Sequence, residues 1–102
     1  MAIPTLPAGM QPYHRTVVFT ETTIPTRLLK AHQTKEGAWA IIHVLAGRLA
    51  YRITDTRRPT LEFLLTPKTL PAVIEPTILH EVEPHGAVRF FVEFFRREPV
   101  PS

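Results

Sequence analysis

Residues 38–54, AWAIIHVLAGRLAYRIT, constrain the fold more than any other part of the chain. The stretch is apolar, rich in β-branched and aromatic residues, without a 3.6-residue period, and interrupted at Ala46-Gly47-Arg48. It predicts two strands, 38–45 and 48–54, joined by a tight turn. A two-residue loop pairs Leu45 with Arg48, and opposed residues of an antiparallel pair share a face. Ala40/Ile53, Ile42/Tyr51 and Val44/Leu49 then make one wholly apolar face, expected to be the interior. The other face carries Trp39/Thr54, Ile41/Arg52, His43/Ala50 and Leu45/Arg48, which is too apolar at Trp39, Ile41 and Leu45 to be left in water. Its expected cover is the N-terminal segment of the same chain or a second copy, and a two-fold homodimer is favoured.

Eleven prolines against four glycines, with no heptad, fit strands punctuated by Pro-bearing loops and very little helix. Further strands are expected at 14–20, 28–33, 60–65, 72–75, 79–83 and 87–95, with one helical turn possible from Ile24-Pro25. In the last strand Val88, Phe90, Val92 and Phe94 form one apolar face, opposite Phe91, Glu93 and Phe95. Residues 1–12 and 98–102 read as extended Pro-rich ends lying outside the core. At 102 residues, the expectation is a single domain, 1–102, burying roughly 60–65% of its extended surface.

The composition also excludes function classes. There is no cysteine, hence no disulfide, zinc ribbon or thiol nucleophile. The net charge of +3 is dispersed, with only Arg57-Arg58 and Arg96-Arg97 adjacent, so no nucleic-acid partner is expected. Neither a signal sequence nor a run long enough to span a membrane is visible, and a cytoplasmic protein is the expectation. No Ser or Thr sits in a Gly-rich elbow and no phosphate-cradling loop is present, so chemistry, if any, is acid–base or metal-assisted.

Two histidines stand out. His32 precedes the tight turn Lys35-Glu36-Gly37 that enters the first long strand, and His80 follows the turn at Glu75-Pro76. Each alone has an ordinary structural role open to it, His32 bonding a backbone carbonyl at a strand end and His80 capping the Pro76 turn. Lys35, at the mouth of a pocket between them, reads either as a solvated turn residue or as a point charge for an anionic ligand. Glu75 and Glu93 are candidate ligand-binding carboxylates. The strand pairing aims His43 away from the interior, Trp39 and Tyr51 read as packing residues, and His14 and His85 as exposed.

His32-Gln-Thr-Lys-Glu-Gly-Ala-Trp39 resembles the His-x-Thr-Lys-x-Gly-x-Trp segment of the small cupin-like domain of tellurite-resistance TehB proteins and YeaR-like proteins. Phe19-Thr-Glu-Thr-Thr-Ile-Pro25, Ile74-Glu75-Pro76 with His80, and Phe91-Val-Glu-Phe94 agree with it, so the resemblance spans residues 6–97. It implies an all-β, cupin-type double-stranded β-helix, or jelly-roll barrel, with a pocket near the two histidines and a link to tellurite or nitrate stress. The expected function is binding of a small molecule or anion, with a divalent metal (Zn, Fe, Ni or Mn) held by His32 and His80. Ligand contacts then come from Lys35, Glu75 and Glu93. A metal-dependent oxygenase or isomerase and a purely structural module are the alternatives, and whether the chain is an enzyme stays open. In metal-binding cupins the first motif supplies a second His and a Glu, where this chain has Thr34 and Ala40. A metal would therefore need help from the carboxylates.

Overall fold

The computed structural model describes residues 5–97. Among them the chain is all-β apart from a 3₁₀ turn at Thr26–Leu29. The strands are β1 (Met10–Arg15), β2 (Phe19–Thr20), β3 (Trp39–Ile53), β4 (Leu61–Leu65), β5 (Ala72–Ile74) and β6 (His80–Arg97). The two long strands, β3 and β6, pair antiparallel from Trp39↔Phe95 to Ile53↔His80. β1 and β2 add to the free edge of β6, while β4 and β5 add to that of β3.

The expected hairpin at Ala46-Gly47 does not form. β3 runs straight through it, and β6 likewise joins the two strands expected at 79–83 and 87–95. The chain makes β-bulges instead of turning: Leu45 is an extra residue between Val44↔Phe90 and Ala46↔Arg89, and the register shifts again between Gly47↔Val88 and Leu49↔Pro84. A bulge converts an odd spacing into a shared face just as a two-residue turn does. Ala40, Ile42, Leu49, Tyr51 and Ile53 are accordingly buried together, as the pattern predicted.

At Gly47 the backbone of β6 leaves no room for a side chain. Its φ of 78° lies in the left-handed region, and a Cβ there would stand 2.0 Å from the Ala87 carbonyl oxygen. Either side of this crossing, residues from opposite ends of the sheet meet in one core: Ile42, Phe90 and Val92 pack with Tyr51, Ile53, Leu65 and Val82. The sheet must therefore bend over itself. Among the described residues the hydrogen-bonded path β1-β6-β3-β4 is open at both ends, so this is an open antiparallel sheet and not the expected barrel closed by hydrogen bonds.

Other elements depart from the sequence pattern more modestly. Residues 28–33 give the end of the 3₁₀ turn and an isolated bridge at His32 rather than a strand. Part of the N-terminal segment is not a loose end, since Met10, Gln11 and Pro12 pair with Arg97, Arg96 and Phe95. Residues 1–4 and the expected tail at 98–102 lie outside the described residues. On the outer face, Phe91 is covered by its own chain: the Arg15 guanidinium sits 3.8 Å from its ring centre and the His43 ring stacks on it at 4.7 Å. Leu45 remains exposed. Among the described residues no helix is long and apolar enough to cross a membrane.

Candidate functional site

His32 and His80 are brought together by the backbone. The His32 N–H donates to the His80 carbonyl (2.9 Å) and the His80 N–H to the His32 carbonyl (2.8 Å). Residues that exchange both bonds are directly opposed, so their side chains leave on the same face. On β6 that face is shared by Val82, Phe90 and Val92, all buried, which makes it the inner one. The two rings lie 4.0 Å apart between centroids, tilted by 59°.

Each imidazole also performs the ordinary structural role. His32 Nδ1 lies 2.9 Å from the Lys30 carbonyl oxygen, and His80 Nδ1 lies 3.0 Å from that of Ile78. A carbonyl only accepts, so Nδ1 is the donor in both rings; in a neutral imidazole this leaves Nε2 as a bare acceptor. Burial pushes His80 down to about 4, against a weaker upward pull from its bond to Ile78, and the neighbouring His32 lowers it further. His80 is thus neutral near pH 7.

The turn leading into His80 is held from two sides. Asp55, 4% exposed, accepts from the Leu79 N–H (2.9 Å), the Arg57 N–H (2.8 Å) and the Arg57 guanidinium (2.8 and 2.9 Å). The Arg57 guanidinium, with the backbone donors of Leu79 and Arg57, holds this carboxyl far below the usual carboxylate range. Arg57 also donates to the Thr77 carbonyl, while the Thr77 N–H donates to the Thr34 carbonyl (3.0 Å). Thr77 has φ of 65°, an unfavourable conformation for a β-branched residue, and these bonds hold it there.

A cavity of about 610 Å³ opens in front of the histidine pair. Its apolar wall includes Ala40, Ile42, Ile74, Val82, Phe90 and Val92, and its polar lining includes His32, His80, Thr34, Lys35, Arg27 and His14. Of the residues singled out from sequence, His32, His80 and Lys35 therefore meet at one cavity. Glu75 and Glu93 do not. Glu75 follows the inward Ile74 and pairs with Arg58 at 2.9 Å, while Glu93 occupies an outward position of β6 and reaches His43 Nε2 at 3.2 Å. His43 faces away from the interior, as its strand position required.

Thr34 and Ala40 do line the cavity, but one ties its hydroxyl to the Ala38 carbonyl (2.7 Å) and the other offers a methyl group. Arg27 carries no sequence signal, and His14 reads only as an exposed residue. Arg27 belongs to a turn read partly as strand, and His14, exposed as expected, reaches the rim of the cavity because it pairs with Phe94, which no local pattern reveals.

The TehB-like domain model matches residues 14–92. This chain belongs to the TehB-like domain family. Two proteins of Haemophilus influenzae strains, each named "Probable S-adenosyl-L-methionine-dependent methyltransferase TehB", are 32% and 31% identical to it over 72 residues. These matches cover 70% of this chain and 25% of each relative, so the chain spans about a quarter of the length of the curated relatives it matches. The crystal structure of TehB from Haemophilus influenzae superposes with a TM-score of 0.80 at 24% identity, covering 88% of this chain and 32% of that one. A protein from E. coli superposes with a TM-score of 0.82 at 19% identity, covering 95% of this chain and 100% of that one.

These findings overturn the metal-binding cupin expected from sequence, together with its Zn, Fe, Ni or Mn cofactor. The relatives of this TehB-like domain carry the name of a methyltransferase that depends on S-adenosylmethionine. The physical reason lies in the ligand set. Glu75 is committed to an ion pair with Arg58 and Glu93 to a hydrogen bond with His43, both off the cavity, and among the described residues no three His, Cys, Asp or Glu side chains gather around a common point.

Proposed function

We propose that this TehB-like domain holds a small molecule for methyl-transfer chemistry, on the acceptor side of the reaction rather than the donor side. The relatives' names support the reaction class. The side of the reaction follows from the cavity lining.

S-adenosylmethionine carries a cationic sulfonium and a ribose diol, and sites for such nucleosides place a carboxylate on the diol. Among the described residues the cavity is lined by no carboxylate, whereas Arg27 and Lys35 both contribute to it. A sulfonium there would face like charge with no protein carboxylate as counter-ion, and the one part of the molecule these cations suit is its own α-carboxylate. The residues present do not fit the methyl donor. They fit an uncharged or electron-rich molecule, whose apolar body rests on Ile42, Ile74, Phe90 and Val92 and whose polar end meets the histidines. This lack of a lining carboxylate is the observation that carries the reading.

A thermal-shift screen decides it. Methyl acceptors of different classes, aromatic and aliphatic alcohols and thiols, are compared with S-adenosylmethionine and S-adenosylhomocysteine. A ligand that binds only the folded chain raises its melting temperature with concentration. The expected result is a saturable rise with at least one acceptor class and none with either donor-side nucleoside. Saturable stabilisation by S-adenosylmethionine, or by none of the acceptors, overturns the reading.

A further inference from the structure

We propose that His32 and His80 act together as a paired hydrogen-bond acceptor, selecting ligands whose head group is an uncharged O–H or S–H. The proposal rests on the acceptor-side reading above and goes beyond it by naming the group that is recognised.

Four observations carry it. Both Nδ1 atoms point at backbone carbonyls, Lys30 for His32 and Ile78 for His80, which leaves both Nε2 atoms to accept. No hydrogen bond to either Nε2 is made among the described residues, and neither atom is sealed off as a buried unpartnered group. Both side chains line the cavity, so these unbonded nitrogens are available to a ligand held there. The pairing is rigid: both backbone bonds between the two residues are formed, the rings stand 4.0 Å apart, and Tyr51 backs His80 at 5.8 Å.

The surrounding charges fix what the pair can take. The ionisable groups sharing the lining are Lys35, Arg27, His14 and Tyr13, with no carboxylate among the described residues. Glu75, whose charge is felt at Tyr51, is paired with Arg58. Burial keeps His80 in the neutral, accepting form. The cations of the lining disfavour an ammonium head group. A hydroxyl or thiol remains as the donor, its single proton going to one of the two bare nitrogens at a time, and a site built to accept a hydrogen bond rejects an analogue that cannot donate one.

Capping the donor with a methyl group tests this with little change to the rest of the ligand. With ¹⁵N-labelled protein at about pH 7.5, above the ordinary imidazole range, long-range ¹H–¹⁵N correlation reports which ring nitrogen of each histidine is protonated. Titrations with p-cresol and with 4-methylanisole follow. The expected result is a proton on Nδ1 and a bare Nε2 in both rings, Nε2 signals that move with p-cresol, and p-cresol binding at least about tenfold tighter than the ether. In His32→Phe, which keeps a ring at the partly exposed position, the preference should fall severalfold; His80→Phe gives the same reading from the buried side.

A proton on either Nε2, equal binding of the two probes, or binding of neither overturns the proposal. Each of these outcomes can occur with the acceptor-side reading intact, because that reading is decided by the wider screen of acceptor classes against the donor nucleosides.

Discussion

The His80 ring is enclosed between His32, 4.0 Å away between ring centres, and Tyr51, 5.8 Å away on another side. Enclosure holds its pKa at about 4, whereas an imidazole in the unfolded chain titrates near about 6.5. Between those values the unfolded chain binds more protons than the folded one, so stability rises with pH across the window. Stability contributed by neutral His80 is complete above about pH 6.5 and lost by about pH 4, on the order of 3 kcal/mol in all. Urea midpoints measured over this range should fall with acidity in the native sequence and fall less in His80→Phe. An identical slope in the two proteins would assign the proton uptake to other groups.

Gly47 and Gly37 separate two effects that usually come together. Both have positive φ, near 80°, but a Cβ on Gly37 meets nothing within 4 Å while one on Gly47 meets the Ala87 carbonyl. Gly37→Ala should destabilise by about 1 kcal/mol, from conformational strain alone. Gly47→Ala adds a steric clash in the sheet and should destabilise by roughly 3 kcal/mol or more. Denaturant unfolding of the two variants measures the difference. Equal losses would mean that the strands separate at Gly47 without penalty.

This glycine also shows how far the sequence could be read. The apolar alternation around it identified the buried set Ala40, Ile42, Leu49, Tyr51 and Ile53, because face assignment depends only on parity. It did not distinguish a turn from a bulge, since Gly at positive φ serves both. The choice depends on whether β6 is available to pair along the whole of β3, a non-local fact. The site divides in the same way. His32, His80 and Lys35 were legible because short turns flank them. Glu75 and Glu93 lie off the cavity: the alternation of the last strand already sets Glu93 opposite Val92 and Phe94, whereas Glu75 stands just past a strand end whose parity the motif does not fix, and His43 and Arg58 claim them.

Asp55 is predicted to hold the His80 turn through its charge. Asp55→Asn keeps the side-chain shape but weakens the bonds to Arg57 and to the Leu79 N–H. Amide exchange at Thr77 and Leu79 should accelerate and the melting temperature should fall. Because the folded-state pKa of Asp55 lies below its unfolded value, its contribution is present above about pH 4 and lost as acidity increases below that. Native sequence and variant should therefore differ most near neutrality and converge in acid. A constant gap down to strongly acidic pH would show that the carboxylate's charge is not what holds the turn.

The outer face of β3 leads to the last prediction. Arg15 and His43 cover Phe91, yet Leu45 stays exposed and Trp39 and Ile41 are only partly covered. We propose that a second copy of the chain packs on this face about a two-fold axis, where each Trp39 would meet the apolar strip of the other subunit. Glu at position 39 would place two carboxylates in such an interface without counter-charges, which is far more costly than the loss of apolar contact alone. Analytical ultracentrifugation should then find a dimer for the native chain and a monomer for Trp39→Glu, with circular dichroism unchanged between them. A dimer that survives the substitution moves the interface elsewhere, and a monomeric native chain removes it altogether.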